Sequence, residues 1–187
     1  MTRSLHEWVE LWFGPRPVAA TPAELVRPLL TFNNATKVMW TEGDVEVLVS
    51  ENQGVWLWGQ TSTGQLVERE NEPGVPWEPI DEDLEAFWLH HAAFEAVTSL
   101  DATRSAQELG QEAVGAIEAD SQPLPCGEWR WPFLRQRMRH RGRSVVMICD
   151  DRRNESFWVV AAAPEEDELG WMDRLVARWD ESDSRVD

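Results

Sequence analysis

Tyrosine is absent from this 187-residue chain, lysine occurs once, at Lys37, and cysteine only at Cys126 and Cys149. Two cysteines without a C-x-x-C spacing signal neither a zinc knuckle nor a disulfide framework, so two reduced thiols are expected. No apolar run of about 18 residues occurs, which removes the usual signal for a transmembrane helix. The opening residues Met1-Thr2-Arg3-Ser4-Leu5-His6 carry neither the apolar core nor the small-residue cleavage site of a secretory leader. The expectation is a soluble, cytoplasmic chain that does not meet a membrane. Positive charge is scarce too: 17 Lys and Arg face 34 Asp and Glu, for a net charge of -17. Phosphate neutralisation by basic side chains supplies most nucleic-acid affinity, so this balance argues against a nucleic-acid partner. There is no G-x-S-x-G elbow, no G-x-G-x-x-G or Walker loop, no internal repeat and no low-complexity tract.

What is present is tryptophan, twelve of them, which must do the work that other chains divide among three aromatic types. Most are expected in the core. Arginine, alanine, glycine and proline are plentiful, a bias that fits a GC-rich coding sequence and a bacterial source. Charge is unevenly spread. Residues 1–127 hold 6 basic and 21 acidic side chains, residues 128–153 hold 8 and 3, and residues 154–187 hold 3 and 10. An acidic balance favours solubility and steers encounter with a basic partner.

Apolar periodicity predicts a helix over residues 5–13, with Leu5, Trp8, Val9, Trp12 and Phe13 on one face, Ser4 as N-cap and Gly14-Pro15 as its end. Thr21-Pro22-Ala23-Glu24 reads as a capping box opening a second helix that runs to about Asn33-Asn34. Lys37–Trp40, Asp44–Ser50 and Val55–Gln60 read as an antiparallel meander, with Gln65–Glu70 as a candidate fourth strand. Val45, Val47 and Val49 fall on one side of the second strand and Glu46, Leu48 and Ser50 on the other. Asn52 and Gly54 supply the reversal after it, because both tolerate positive φ. A helix follows from Leu84 to Val97, opened by Asp81-Glu82-Asp83, with Leu84, Phe87, Trp88, His91, Phe94 and Val97 on one face. Residues 100–121 carry a thinner helical stripe of Ala106, Leu109, Ala113, Val114 and Ile117. Gln122-Pro123-Leu124-Pro125 reads as a surface connection. Arg135, Arg137, Arg139, Arg141 and Arg143 occupy alternate positions, which strand period 2 would place on one face. Their guanidinium forks suit carboxylate or phosphate partners, but an internal pairing with the acidic closing helix or the helix beginning at Asp81, or a solvated face, is the expectation over ligand binding. Residues 145–148 and 157–162 read as buried strands, 165–179 as a closing helix and 181–187 as a fraying tail. Together these make one α+β domain over residues 1–180, a mainly antiparallel twisted sheet flanked by helices.

The stretch Glu51-Asn52-Gln53-Gly54-Val55-Trp56-Leu57-Trp58-Gly59, followed by Gly74-Val75-Pro76-Trp77-Glu78-Pro79 and the helix after it, resembles the SUKH superfamily over roughly residues 29–98. Many members carry Asp-Pro-Pro-Val where this chain reads Glu72-Pro73-Gly74-Val75, which leaves the register of that strand open. The superfamily is named partly after a fungal cell-wall regulator and is widespread in bacteria as immunity proteins of toxin systems. The resemblance implies that Glu51, Asn52, Gln53, Gly54, Trp56, Trp58, Gly59 and Trp77 determine the fold rather than a binding site. It further implies a non-catalytic immunity protein that binds and neutralises a cognate protein toxin, with no cofactor. The acidic balance suits a basic toxin such as a nuclease, and Glu68, Glu70, Glu72, Asp81, Glu82 and Asp83 are the candidate partner-binding residues. The alternative is a regulatory or scaffolding module in a signalling or cell-envelope pathway. No catalytic residue is assigned, since Cys126-Gly127 lacks the local signature of a nucleophile. His91 and Glu95 have the i,i+4 spacing of a metal pair, but no third ligand is visible nearby. His91 also sits on the apolar stripe, and a packed histidine is the expectation.

Overall fold

The computed structural model describes residues 3–31, 33–35, 40–131, 135–151, 156–176 and 179–180. The predicted strand at Lys37–Trp40, apart from Trp40 itself, and the tail at 181–187 lie outside them. Helix α1 (Leu5–Phe13) starts as the sequence dictates: Ser4 Oγ accepts from the Glu7 N–H, and the Glu7 carboxylate accepts from the Ser4 N–H at 2.7 Å. Helix α2 (Pro22–Val26) has the same reciprocal cap between Thr21 and Glu24. It is shorter than predicted and gives way to a 3-10 turn at Arg27–Leu29, because Pro28 has no N–H to continue the ladder.

One antiparallel sheet contains β1 (Asn33–Ala35), β2 (Thr41–Glu42), β3 (Val45–Glu51), β4 (Trp56–Thr61), β5 (Leu66–Glu70) and β6 (Glu78–Pro79), in the order β1-β3-β4-β5-β6 with β2 beside β3. The predicted hairpin of Asp44–Ser50 with Val55–Gln60 is there as β3 and β4, the candidate fourth strand pairs with it as β5, and Gly54 turns the hairpin with φ +73°. Simple alternation fails at one place. The β3–β4 register shifts between Val47 and Val49, so Leu48 and Val49 both enter the main core while Val45 and Val47 face the other side. A β-bulge of this kind re-aims the residues that follow it.

Helix α3 (Leu84–Ser99) is capped by the Asp83 side chain, which accepts from the Ala86 N–H at 2.8 Å. The sequence predicts one apolar face, whereas every residue from Phe87 to Val97 is buried. The cause is position: α3 packs on α1 and α2 and lies between the first sheet, touched through Trp58 and His91, and a second sheet.

That second sheet runs β7-β11-β10-β9-β8, from β7 (Ala102–Leu109), β8 (Gln122–Pro123), β9 (Gln136–Arg141), β10 (Ser144–Asp151) and β11 (Ser156–Ala163). The α+β class and antiparallel pairing stand as predicted, with the strands divided between two sheets. Val145, Met147, Cys149, Val160 and Ala162 face α3, while Val146, Ile148, Val159, Ala161 and Ala163 face helix α4 (Gln111–Asp120) and the segment from Leu169 to Val176. Covered on both sides, β10 and β11 read as continuous apolar runs.

Two predicted helices are corrected. Residues 102–109 form an edge strand on β11, and only 111–120 are helical. Backbone pairing to a fully formed strand outweighs the weak helical stripe, and Gly110 separates the two elements. The closing helix is instead a 3-10 turn at Glu166–Leu169 followed by further turns. Its i→i+3 bonds, such as Met172 N–H to Leu169 at 2.9 Å, tighten around Gly170 so that Leu169, Met172 and Val176 reach the sheet.

The alternating arginines are consumed inside the fold. Arg137 binds Glu118 and Asp150, Arg141 binds Asp120, Arg135 binds Glu128, and Arg143 approaches Glu168 at 3.6 Å. Arg139 donates to Ser121 Oγ at 2.8 Å and to the carbonyls of Glu118 and Ser121 at 2.7 and 2.8 Å, closing the C-terminal end of α4 where cations are favoured. Arg139→Ala is expected to cost about 2 kcal/mol in urea unfolding, because it strips charged donors from three oxygens. Arg143→Ala is expected to cost under about 0.5 kcal/mol, as exposed pairs do. Equal effects would show that the α4 clamp contributes nothing special.

Candidate functional site

The six acidic candidates separate into exposed and buried groups. Glu70, Glu72, Asp81 and Asp83 are exposed. Glu68 is only 2% exposed and the Glu82 side chain is fully buried, so neither is available to a partner. This corrects the expectation that all six are exposed for a partner. Glu68 lies in mid-β5, where four successive residues are buried, whereas Glu70 ends the strand and is exposed. Asp83 caps α3 and so faces outward, and Glu82 before it turns in.

The inward pair is tightly held. Glu68 accepts from Trp56 Nε1 at 3.1 Å and from the Arg130 N–H at 3.2 Å; burial pushes its carboxyl up from the ordinary range despite both donors. Glu82 Oε1 accepts from the Gly127 N–H at 2.6 Å and meets His90 Nδ1 at 2.8 Å, and its Oε2 accepts from Trp129 Nε1 at 3.0 Å. Gly127 is required beside it, since a Cβ there would stand 2.9 Å from Glu82 Cγ. His90 lies flat on Trp129, with ring centroids 3.6 Å apart and 15° between planes. Its other nitrogen, Nε2, faces Gln136 Oε1 at 2.9 Å, and the Gln136 amide donates to Met147 Sδ at 3.0 Å. The Cys126 sulfur completes the group, its donor atom and those of Glu82 and His90 all lying within 4.8 Å of one another.

Both nitrogens of His90 face acceptors, so both carry protons. Burial alone would push its pKa down; the Cys126 sulfur and the Glu82 carboxylate outweigh that and raise it to about 10. Glu82 moves the other way: burial raises it, but the His90 charge and its hydrogen bonds leave it below its ordinary value. A histidine raised in the folded state stabilises fully below its unfolded pKa, and that stability is lost as pH climbs from about 6.5 to about 10. In chelator-treated protein, urea midpoints should therefore fall across this window, and His90→Gln should flatten the fall. An unchanged slope would show that His90 is not the titrating group.

His91, one residue on, has a different setting. It packs edge-on against Trp58 and Phe87 at 5.1 and 4.6 Å, and burial together with the neighbouring His90 charge holds its pKa well below the ordinary value. Glu95 accepts from Thr31 Oγ1. The expectation of a packed His91 is met, and the polar cluster forms instead at His90, which the sequence did not single out.

The motif residues take structural places. Glu51 accepts the Gln53 N–H at 2.8 Å inside the turn, Trp58 is fully buried, and Gly59 sits against β3; Trp56 and Trp77 are half-buried, Trp77 under the Arg69 guanidinium. Asn52 and Gln53 are exposed in the turn. Among the described residues, no helix is long and apolar enough to cross a membrane. No protein-family model matches the chain, and no curated protein or solved structure matches it either.

Proposed function

We propose that this protein is a non-catalytic immunity protein that binds and neutralises a basic protein toxin. The observation that carries this reading is electrostatic. Arg69, Arg104, Arg130, Arg135, Arg137, Arg141, Arg143 and Arg174 are all taken up by ion pairs within the fold. The acidic excess is left to the surface, with Glu70, Glu72, Asp81 and Asp83 exposed around the start of α3 and the end of β5. Such a field speeds encounter with a basic partner and selects against acidic ones. The SUKH-like run from Glu51 to Trp77 supports the same reading, because its residues serve the scaffold and leave the outward carboxylates for recognition.

The test is an affinity capture from the source cell at low salt, where an electrostatic complex survives. Recovery of a small basic protein whose toxic activity is suppressed on mixing is the expected result. Recovery of housekeeping proteins alone, or of nothing, rejects the proposal. With that toxin in hand, changing Glu70, Glu72, Asp81 and Asp83 together to lysine should weaken binding at least about tenfold, mainly through a slower on-rate. Unchanged affinity would remove this surface from the interface.

A further inference from the structure

We infer that Glu82, His90 and Cys126 form a binding site for a single zinc ion, an assignment independent of the toxin-binding reading. The three side chains come from different parts of the chain: the approach to α3, its second turn, and the loop after β8. The fold nevertheless brings one oxygen, one nitrogen and one sulfur donor within 4.8 Å of one another. Nδ1 of His90 already stands 2.8 Å from Glu82 Oε1, so an ion replacing the proton between them needs only a small adjustment. Sulfur and imidazole together select zinc over magnesium or calcium, which take oxygen ligands. Three protein ligands leave a fourth position of the tetrahedron for water.

The surroundings are those that ligands of a bound ion require. Gln136, itself fully buried, accepts the Nε2 proton of His90 at 2.9 Å, which leaves Nδ1 as the nitrogen free to coordinate. The Gln136 orientation is supported by its amide donating to Met147 Sδ. Glu82 keeps its donors from Gly127 and Trp129 whether Nδ1 carries a proton or an ion. Trp129 stacked on His90 fixes the ring plane, and Cys126 is only partly buried where the Glu82 and His90 side chains are fully so. On binding, the Nδ1 proton of His90 and the thiol proton of Cys126 leave to solvent, and N–Zn and S–Zn bonds take their place; nothing is oxidised or reduced. The ion would tie the 121–127 loop to the start of α3.

The experiment uses the full chain, stripped with chelator under reducing conditions and titrated with zinc alone, then with cobalt as a spectroscopic probe. One equivalent of zinc is expected, with a thiolate-to-cobalt charge-transfer band in the near ultraviolet. Cys126→Ser is expected to abolish that band and weaken zinc binding at least about 100-fold, and Gln136→Leu to weaken it about tenfold through the lost orientation of His90. His6, outside the cluster, serves as control: His6→Gln should bind as the parent does. Absence of the cobalt band in the parent, or zinc affinity unchanged in Cys126→Ser, overturns the assignment. Should Cys126→Ser fail to fold, the parent's stoichiometry and cobalt band decide alone.

Discussion

Replacing Trp129 by alanine is expected to lower the free energy of unfolding by about 4 kcal/mol, a loss typical of deleting a fully buried indole. At roughly 2–4 °C per kcal/mol for a chain of this size, the melting temperature should fall by about 8–16 °C. Three losses combine at this residue. Trp129 has no exposed surface and packs against Trp58 and Phe87, with centroids 5.1 and 6.0 Å away, so alanine opens a cavity at the junction of the first sheet and α3. Its indole N–H is one of three N–H donors to the buried Glu82 carboxylate, beside the Gly127 N–H and His90 Nδ1. Its ring face carries His90. Trp129→Phe separates these contributions: it keeps most of the packing, loses the N–H to Glu82, and should cost only about 1–2 kcal/mol. Equal losses in the two variants would mean that the hydrogen bond, rather than the ring volume, dominates.

Gly59→Ala should be the most damaging single methyl in the first sheet, at about 3 kcal/mol and a melting temperature lower by about 6–12 °C. A Cβ built at Gly59 stands 2.5 Å from Val45 Cγ1 and 2.8 Å from the Glu46 carbonyl oxygen. The second contact is with backbone, so no rotamer change relieves it, and β3 and β4 must move apart. Gly54→Ala is the contrasting case. A Cβ there meets nothing within 4 Å, and only the φ of +73° is strained, so about 1 kcal/mol is expected. Thermal denaturation of both variants beside the parent decides the matter. If Gly59→Ala melts no lower than Gly54→Ala, the close approach of the strands is not the constraint.

Local chemistry was legible wherever a residue acts on its own neighbours in sequence. The N-cap at Ser4, the Thr21–Glu24 capping box, the stop at Gly14, the turn at Gly54 and the acidic start of α3 all act on backbone groups within a few residues. The period-2 arginines were legible as one strand face, and the structure supplies their partners from α4, β10, the loop at Glu128 and the turn at Glu168. The acidic balance and the scarcity of lysine are properties of composition alone.

Other features depended on what lay across the fold. Residues 102–109 carry a weak helical stripe, yet β11 offers an edge, and ladder hydrogen bonds outweigh propensity differences of tenths of a kcal/mol per residue. Glu68 and Glu82 look like their exposed neighbours until the packing over mid-β5 and the chain before the α3 cap bury them. His90 rather than His91 meets the polar groups because α3 is buried on all sides, so sequence periodicity could not say which of two adjacent histidines faces apolar rings and which faces carboxylate and sulfur. Glu82, His90, Cys126 and Gln136 lie too far apart along the chain for any local spacing to reveal them. The sequence by itself determined the caps, turns, strand-forming runs and charge of this protein, because those act over a few residues. Only the tertiary structure decided which charges are buried and which donors converge, because desolvation and proximity are properties of packed surfaces brought together from distant segments.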